Sequence, residues 1–227
     1  MSTARAQRSA INESIAIPPL GLDGHLAVPA GAAGVVIFAH GSGSSRHSPR
    51  NKCVATMLNR AGVGTLLFDL LRPFEAEDRT AVFDIDLLAE RLILATRWLR
   101  QHTAGTGQEM GYFGASTGAA AALAASVSDG NVKAVVSRGG RPDLADRFLP
   151  YVSAPTLLIV GGDDRDVLAL NRRAMSLMTC KTELVVIPHA SHLFEEAGAL
   201  DQVADHALRW FQRHFTRNSQ SGGGDHV

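Results

Sequence analysis

The stretch M-G-Y-F-G-A-S-T-G-A-A-A-A-L-A-A-S-V, residues 110–127, decides how this chain is read. Its first four residues are apolar or small and too few for a helix, so they form a short strand. Its alanine-rich second half, residues 117–127, is a strong helix former whose small side chains allow close packing on a sheet. Between the two stands Gly114-Ala115-Ser116-Thr117-Gly118. A serine on a sharp strand-to-helix turn takes a strained backbone conformation, and glycines two before and two after let neighbouring backbone approach without a Cβ clash. The turn lifts the Ser116 hydroxyl above the sheet. It also aims the Thr117 N–H, at a helix N-terminus, to where negative charge develops on an attacked carbonyl. In a chain with 22 glycines the five-residue string alone is a weak signal, and the bland reading is a glycine turn packing a helix on a strand. The flanking strand and helix give it weight.

Outward from this turn, apolar β-branched stretches alternate with helical-period stretches. That is the signature of a parallel sheet with helices on its faces, so the expected class is α/β with about eight mostly parallel strands. Residues 11–17 and 22–28, separated by Pro18, Pro19 and Gly21, read as an antiparallel hairpin at a sheet edge. Residues 35–39 form a buried strand, and Ser48 with Pro49 is an N-cap and first-turn proline opening a helix that Gly62 closes. The strand 65–70 leads into a polar loop through Asp78, then a long helix with Ile85, Leu88, Leu92, Ala95 and Leu99 at spacings of three and four. Further strands fall at 132–137, 156–160 and 183–187. A last helix, 200–215, buries Val203, Ala207, Trp210, Phe211 and Phe215. No repeat and no central linker interrupts the chain, so a single domain over 11–216 is expected, between a flexible tail at 1–10 and a disordered Ser/Gly-rich tail at 217–227.

With 227 residues, 45% of them hydrophobic and 19% charged, the chain has ample apolar surface for a core, which excludes disorder as its overall state. Lys plus Arg and Asp plus Glu both count 22, leaving no net field to gather phosphates. Nucleic acid and anionic membrane are therefore not expected as partners, and a small neutral ligand or another protein fits better. Two cysteines, Cys53 and Cys180, are too few for a disulfide framework and suit a reducing compartment, so the expected location is the cytoplasm. No apolar run approaches the roughly 20 residues of a membrane helix.

A serine hydroxyl needs a base, and the base an orienting carboxylate, in the order Ser, Asp or Glu, His at the ends of later strands. After the strand 156–160 comes Gly161-Gly162-Asp163-Asp164-Arg165-Asp166, and after 183–187 comes Pro188-His189-Ala190-Ser191-His192. Asp164 is the preferred acid, with Asp163 and Asp166 as solvated turn acids. His192 is the preferred base, since His189 lies nearer the strand. Read as a metal pair, His189 and His192 lack a third ligand at sensible spacing, so no metal is expected. The loop His40-Gly41-Ser42-Gly43-Ser44-Ser45 lies after the strand 35–39, where a second oxyanion donor is needed. Ser42 is the expected donor and Gly43 the alternative, while His40 reads as a packed histidine. A phosphate loop would need a lysine that is missing.

His40-Gly41, the segment from Gly114 to Gly118, Gly161-Gly162-Asp163-Asp164 and the His192 loop together resemble an α/β-hydrolase of the dienelactone hydrolase-like group, over about residues 35–215. The resemblance implies the α/β-hydrolase fold without a large lid domain. It also implies a serine hydrolase with Ser116 as nucleophile, His192 as base and Asp164 as orienting acid, requiring no cofactor. True dienelactone hydrolases have cysteine at the nucleophile position, so their lactone substrate is not carried over, and short-chain carboxylic esters are expected instead. The same triad could serve an acyltransferase, a thioesterase or a lactonase, and a non-catalytic ligand-binding protein could keep the pocket. Arg46, Arg50, Arg72, Arg138 and Arg141 fall at the edge where open α/β sheets bind ligands. Arg46 and Arg138 are the candidates to receive a substrate carboxylate, against the alternative that these arginines pair with Asp69, Asp143 or surface acids. The oligomeric state is not legible.

Overall fold

The central strands are buried at nearly every residue, so both faces of the sheet have to be covered. β1 (Ile11–Ile17) and β2 (Leu22–Val28) pair antiparallel, and β2 joins β4 (Gly64–Phe68) antiparallel. β3 (Gly34–Ala39), β4, β5 (Glu109–Ala115), β6 (Val132–Arg138), β7 (Thr156–Gly161) and β8 (Thr182–Ile187) run parallel, in the order β1-β2-β4-β3-β5-β6-β7-β8. This computed structural model describes residues 10–103 and 108–215, and apart from residue 10 both expected tails lie outside the described residues. α1 (Pro49–Arg60) and α7 (Ala199–His214) cover one face, where Val54, Leu58, Trp210 and Phe211 pack on Val36, Phe38, Val136 and Ile159. α4 (Ile85–His102), α5 (Thr117–Ser128) and α6 (Arg165–Leu177) cover the other. Among the described residues no helix is long and apolar enough to cross a membrane.

The sequence reading and the structure differ where charge hides a short period. The polar loop after β4 contains two helical turns, α2 (Pro73–Ala76), with proline at its first position, and α3 (Arg79–Phe83), capped by Asp78. α6 is absent from the sequence reading although its buried side, Val167, Leu168, Asn171 and Ala174, recurs at helical spacing. β5 continues two residues past Phe113, to Ala115, and so delivers Ser116 directly from the ladder.

β3 is followed by β4 on one side, whereas β5 lies on its other side. The loops leaving β3 and β5 therefore diverge, opening the crevice in which such sheets hold ligands. Residues 40–48 and Ser116 stand there.

α2 borders this crevice through an ion cluster. Glu75 is largely buried and accepts from Arg72 Nη2 at 2.8 Å, from the Arg72 backbone N–H at 2.8 Å and from Arg91 Nη2 at 3.0 Å. The Arg72 side chain first, then the Arg72 backbone and Arg91, hold its carboxyl down at about 2 against the cost of burial. A carboxyl depressed in the folded state contributes stability above its unfolded pKa, and that contribution fades as pH falls toward the folded value. Glu75→Gln should therefore destabilise the protein to urea at neutral pH. The difference from the parent should shrink steadily between about pH 4.5 and pH 2; a difference independent of pH would contradict this account.

Candidate active site

Ser116 has φ 51° and ψ −120°, a conformation rare for a residue with a Cβ, and it links the end of β5 to the start of α5. Its backbone is tied on both sides: its N–H donates to Arg138 O at 3.2 Å, and its carbonyl accepts from Ala119 N–H and Arg141 N–H, each at 3.1 Å. The two glycines of the turn are required by close approach. A Cβ at Gly114 would stand 2.6 Å from Gly118 O, and one at Gly118 would press on the carbonyl oxygens of Ala39 and His40. Gly41 closes the turn from the other loop, since a Cβ there would lie 3.1 Å from Ser116 Cβ.

The residues expected as acid and base, Asp164 and His192, come together. His192 Nδ1 lies 2.7 Å from Asp164 Oδ2. Asp164 stands at the N-cap of α6 but makes no capping bond with its side chain, which is turned to the histidine instead. The two loops are joined by backbone: Gly162 N–H donates to Ile187 O at 2.8 Å and Asp163 N–H to Ala190 O at 3.0 Å. Asp163, Asp166 and His189 are exposed. A Cβ added at Gly139 would lie 3.5 Å from His192 Cε1, so the imidazole packs on the backbone next to Arg138, whose carbonyl holds Ser116. Among the described residues Ser116 Oγ makes no hydrogen bond, to His192 or to any other group.

The loop after β3 is fixed by His40. Its Nδ1 donates to Gly41 O at 3.0 Å and its Nε2 accepts the Leu70 N–H at 3.1 Å, an assignment that requires the neutral ring. Burial lowers its pKa and favours that form, against smaller opposing effects of the Gly41 carbonyl and Asp69. Ser42 departs from expectation, because its N–H is already engaged, donating to Thr117 Oγ1 at 2.8 Å. The Thr117 N–H opens α5 and so has no intrahelical acceptor. Beside these groups lies a cavity of about 240 Å³, walled by Leu70, Leu71, Val82 and Leu88 and rimmed by Thr117 and the His40–Gly41 loop. Sequence reasoning missed its wall because the residues come from β4's loop, α3 and α4.

Of the arginines, most are spent. Arg46 pairs with Asp69 and lies 3.5 Å from Asp23, so the structure corrects its assignment as a free carboxylate receptor. Arg50 pairs with Glu195, Arg72 with Glu75 and Arg141 with Asp143. Arg138 differs: it is 8% exposed, and its Nε and Nη1 are buried without a partner. Burial, then the nearby charge of Arg50, lowers its pKa to about 10, so it stays cationic at neutral pH.

No protein-family model matches the sequence. A crystal structure of dienelactone hydrolase from Anabaena variabilis superposes with a TM-score of 0.86 at 52% identity, covering 92% of this chain and 100% of that one. The chain belongs to the dienelactone hydrolase family. The expected α/β-hydrolase fold is thereby shown, and Est1E from Butyrivibrio proteoclasticus shares it at a TM-score of 0.75 and 14% identity, over 91% of this chain and 99% of that one. Two Mycobacterium tuberculosis proteins, from strains CDC 1551 and H37Rv and named provisionally as phosphoribosyl transferases, are 56% identical over 205 residues. That match takes in 90% of this chain and 46% of theirs, so the chain spans about half the length of the curated relatives it matches.

The packing around Ser116 makes a testable contrast between glycines in this family member. Gly118→Ala should lower the thermal midpoint sharply or prevent folding, because its Cβ would meet backbone that cannot yield. Gly130→Ala, with nothing within 4 Å and no positive φ, should be neutral or raise it by the equivalent of about 0.4–1 kcal/mol. Equal midpoints for the two variants would refute the close-approach argument.

Proposed function

We propose that this hydrolase-fold protein is a serine hydrolase that cleaves short-chain carboxylic esters through an acyl-enzyme on Ser116. The observation that carries the reading is a serine at positive φ on the strand-to-helix turn, in the same corner as a histidine bonded at 2.7 Å to a carboxylate. In this reading His192 Nε2 takes the Ser116 proton as Oγ attacks the ester carbonyl, then gives it to the departing alcohol. Asp164 holds Nδ1–H and balances the charge of the imidazolium. The Thr117 N–H, at the positive end of α5, receives the developing oxyanion. Water enters next, His192 again acts as base, and the acid product leaves Ser116 free. The small cavity beside Thr117 supports a short apolar group on the substrate. The phosphoribosyl transfer in the name of the two mycobacterial relatives is not carried to this stretch, which makes up 46% of their length and folds here as a hydrolase sheet.

Arg138 supports a preference for substrates bearing a carboxylate. A buried guanidinium without a counter-charge is costly, and an arriving anion offsets that cost with charge-assisted hydrogen bonds.

Treatment with a fluorophosphonate probe, mapped by mass spectrometry, should label Ser116 in the parent and fail in His192→Ala. A folded parent left unlabelled would shift the reading to a ligand-binding protein. Arg138→Ala should raise the KM of a carboxylate-bearing ester more than that of a neutral ester of the same size, and equal effects on both would exclude the anion-receiving role.

A further inference from the structure

We propose that the side-chain hydroxyl of Thr117, and not the Ser42 amide, is the second hydrogen-bond donor to the oxyanion; the proposal rests on the serine hydrolase reading above. The starting observation is the direction of one bond. Ser42 N–H points to Thr117 Oγ1 at 2.8 Å, so it fills a lone pair of that oxygen and leaves the hydroxyl proton to be given elsewhere.

The fate of that proton separates Thr117 from other threonines of the fold. Thr56, Thr96 and Thr103 each donate to the carbonyl four residues back in their helix, to Lys52, Leu92 and Leu99, all at 2.8 Å. Thr117 is the first residue of α5, and four residues back lies Phe113, inside the ladder of β5. No helical carbonyl stands beneath it. Among the described residues its hydroxyl has Ser42 N–H as its donor and no acceptor for its own proton. Thr117 is 3% exposed, so bulk water has little access to the group, yet it lines the cavity beside the Gly41–Gly43 loop.

Geometry and polarity then favour one use. Within a single threonine the N–H and the hydroxyl are joined only through Cα and Cβ, so both can converge on one oxygen, at a helix N-terminus that already favours negative charge. A hydroxyl that accepts a hydrogen bond is a stronger donor through the second bond it makes. The oxyanion is thus held by Thr117 N–H and Thr117 Oγ1–H. Ser42 is a positioning residue, acting through the hydroxyl whose lone pair it occupies.

The experiment compares Thr117→Val, which keeps the shape and removes the hydroxyl, with Thr117→Ser, which keeps the hydroxyl. Thr117→Ala is the second apolar variant, used should valine not fold. Steady-state kinetics on p-nitrophenyl acetate should show kcat reduced about 100-fold in the apolar variants with KM little changed, the usual consequence of losing one oxyanion donor. Thr117→Ser should stay within a few-fold of the parent. An apolar variant as fast as the parent, or faster, overturns the proposal, because it means that the hydroxyl merely covered an amide that serves better when released. Ser116→Ala separates this failure from failure of the underlying reading. If ester turnover survives Ser116→Ala, the serine hydrolase reading falls and this inference with it. If turnover is lost there but kept in Thr117→Val, only the hydroxyl assignment falls.

Discussion

A serine at φ 51° does not stay there by its own preference, since a Cβ in this region crowds the backbone and costs of order 1–3 kcal/mol. What holds Ser116 is surrounding backbone packed too closely to yield. Gly114 lies against the first turn of α5, Gly118 against the end of β3, and Gly41 against Ser116 itself. Each contact joins a different element, so the conformation of one residue depends on β3, β5 and α5 being seated together. The parallel order of the sheet supplies this, because β5 lies directly beside β3 and is paired to it residue by residue up to Ala39 and Gly114. Everything else in the site is arranged around a hydroxyl whose place is thereby set.

Much of this was legible in the sequence, for a physical reason. Glycines at close approaches, β-branched buried strands and alanine on a sheet-packed helix are local consequences of the fold, and each leaves its mark within a few residues. Asp164 and His192 were legible as well, since strand ends place loop residues at one edge. The contact of Ser42 with Thr117 was not, because it joins residues 75 apart in the chain and depends on a side-chain rotamer. The arginines failed for the same reason. Arg46 and Arg138 read alike as basic residues after strands, and only the fold brings Asp69 to the first and leaves the second without an acid among the described residues. The turns α2 and α3 went unread because they are too short to show a period, and α2 is stabilised from outside by the Arg72–Glu75–Arg91 ion pairs.

The charges of the site are graded by their surroundings. Glu75 is saturated by two guanidinium groups, which makes the wall of the crevice a fixed structure. Asp164 has one strong partner and His40 is kept neutral between a carbonyl and an amide. Among the described residues Arg138 forms no ion pair, and its guanidinium lies over the Phe194 ring. In a chain of zero net charge, a buried cation with no acid paired to it makes a local field that a surface arginine does not, because solvent screens the latter.

α5 is buried from Thr117 to Ser126, enclosed by α4, β5, β6 and the turn Pro142–Ala145. A helix with no solvent-facing side has no cheap way to open, so its amides are expected to be among the best protected from exchange. Ser116 is therefore tied to a helix enclosed on every side, while Asp164, His192 and the crevice wall sit at the sheet edge.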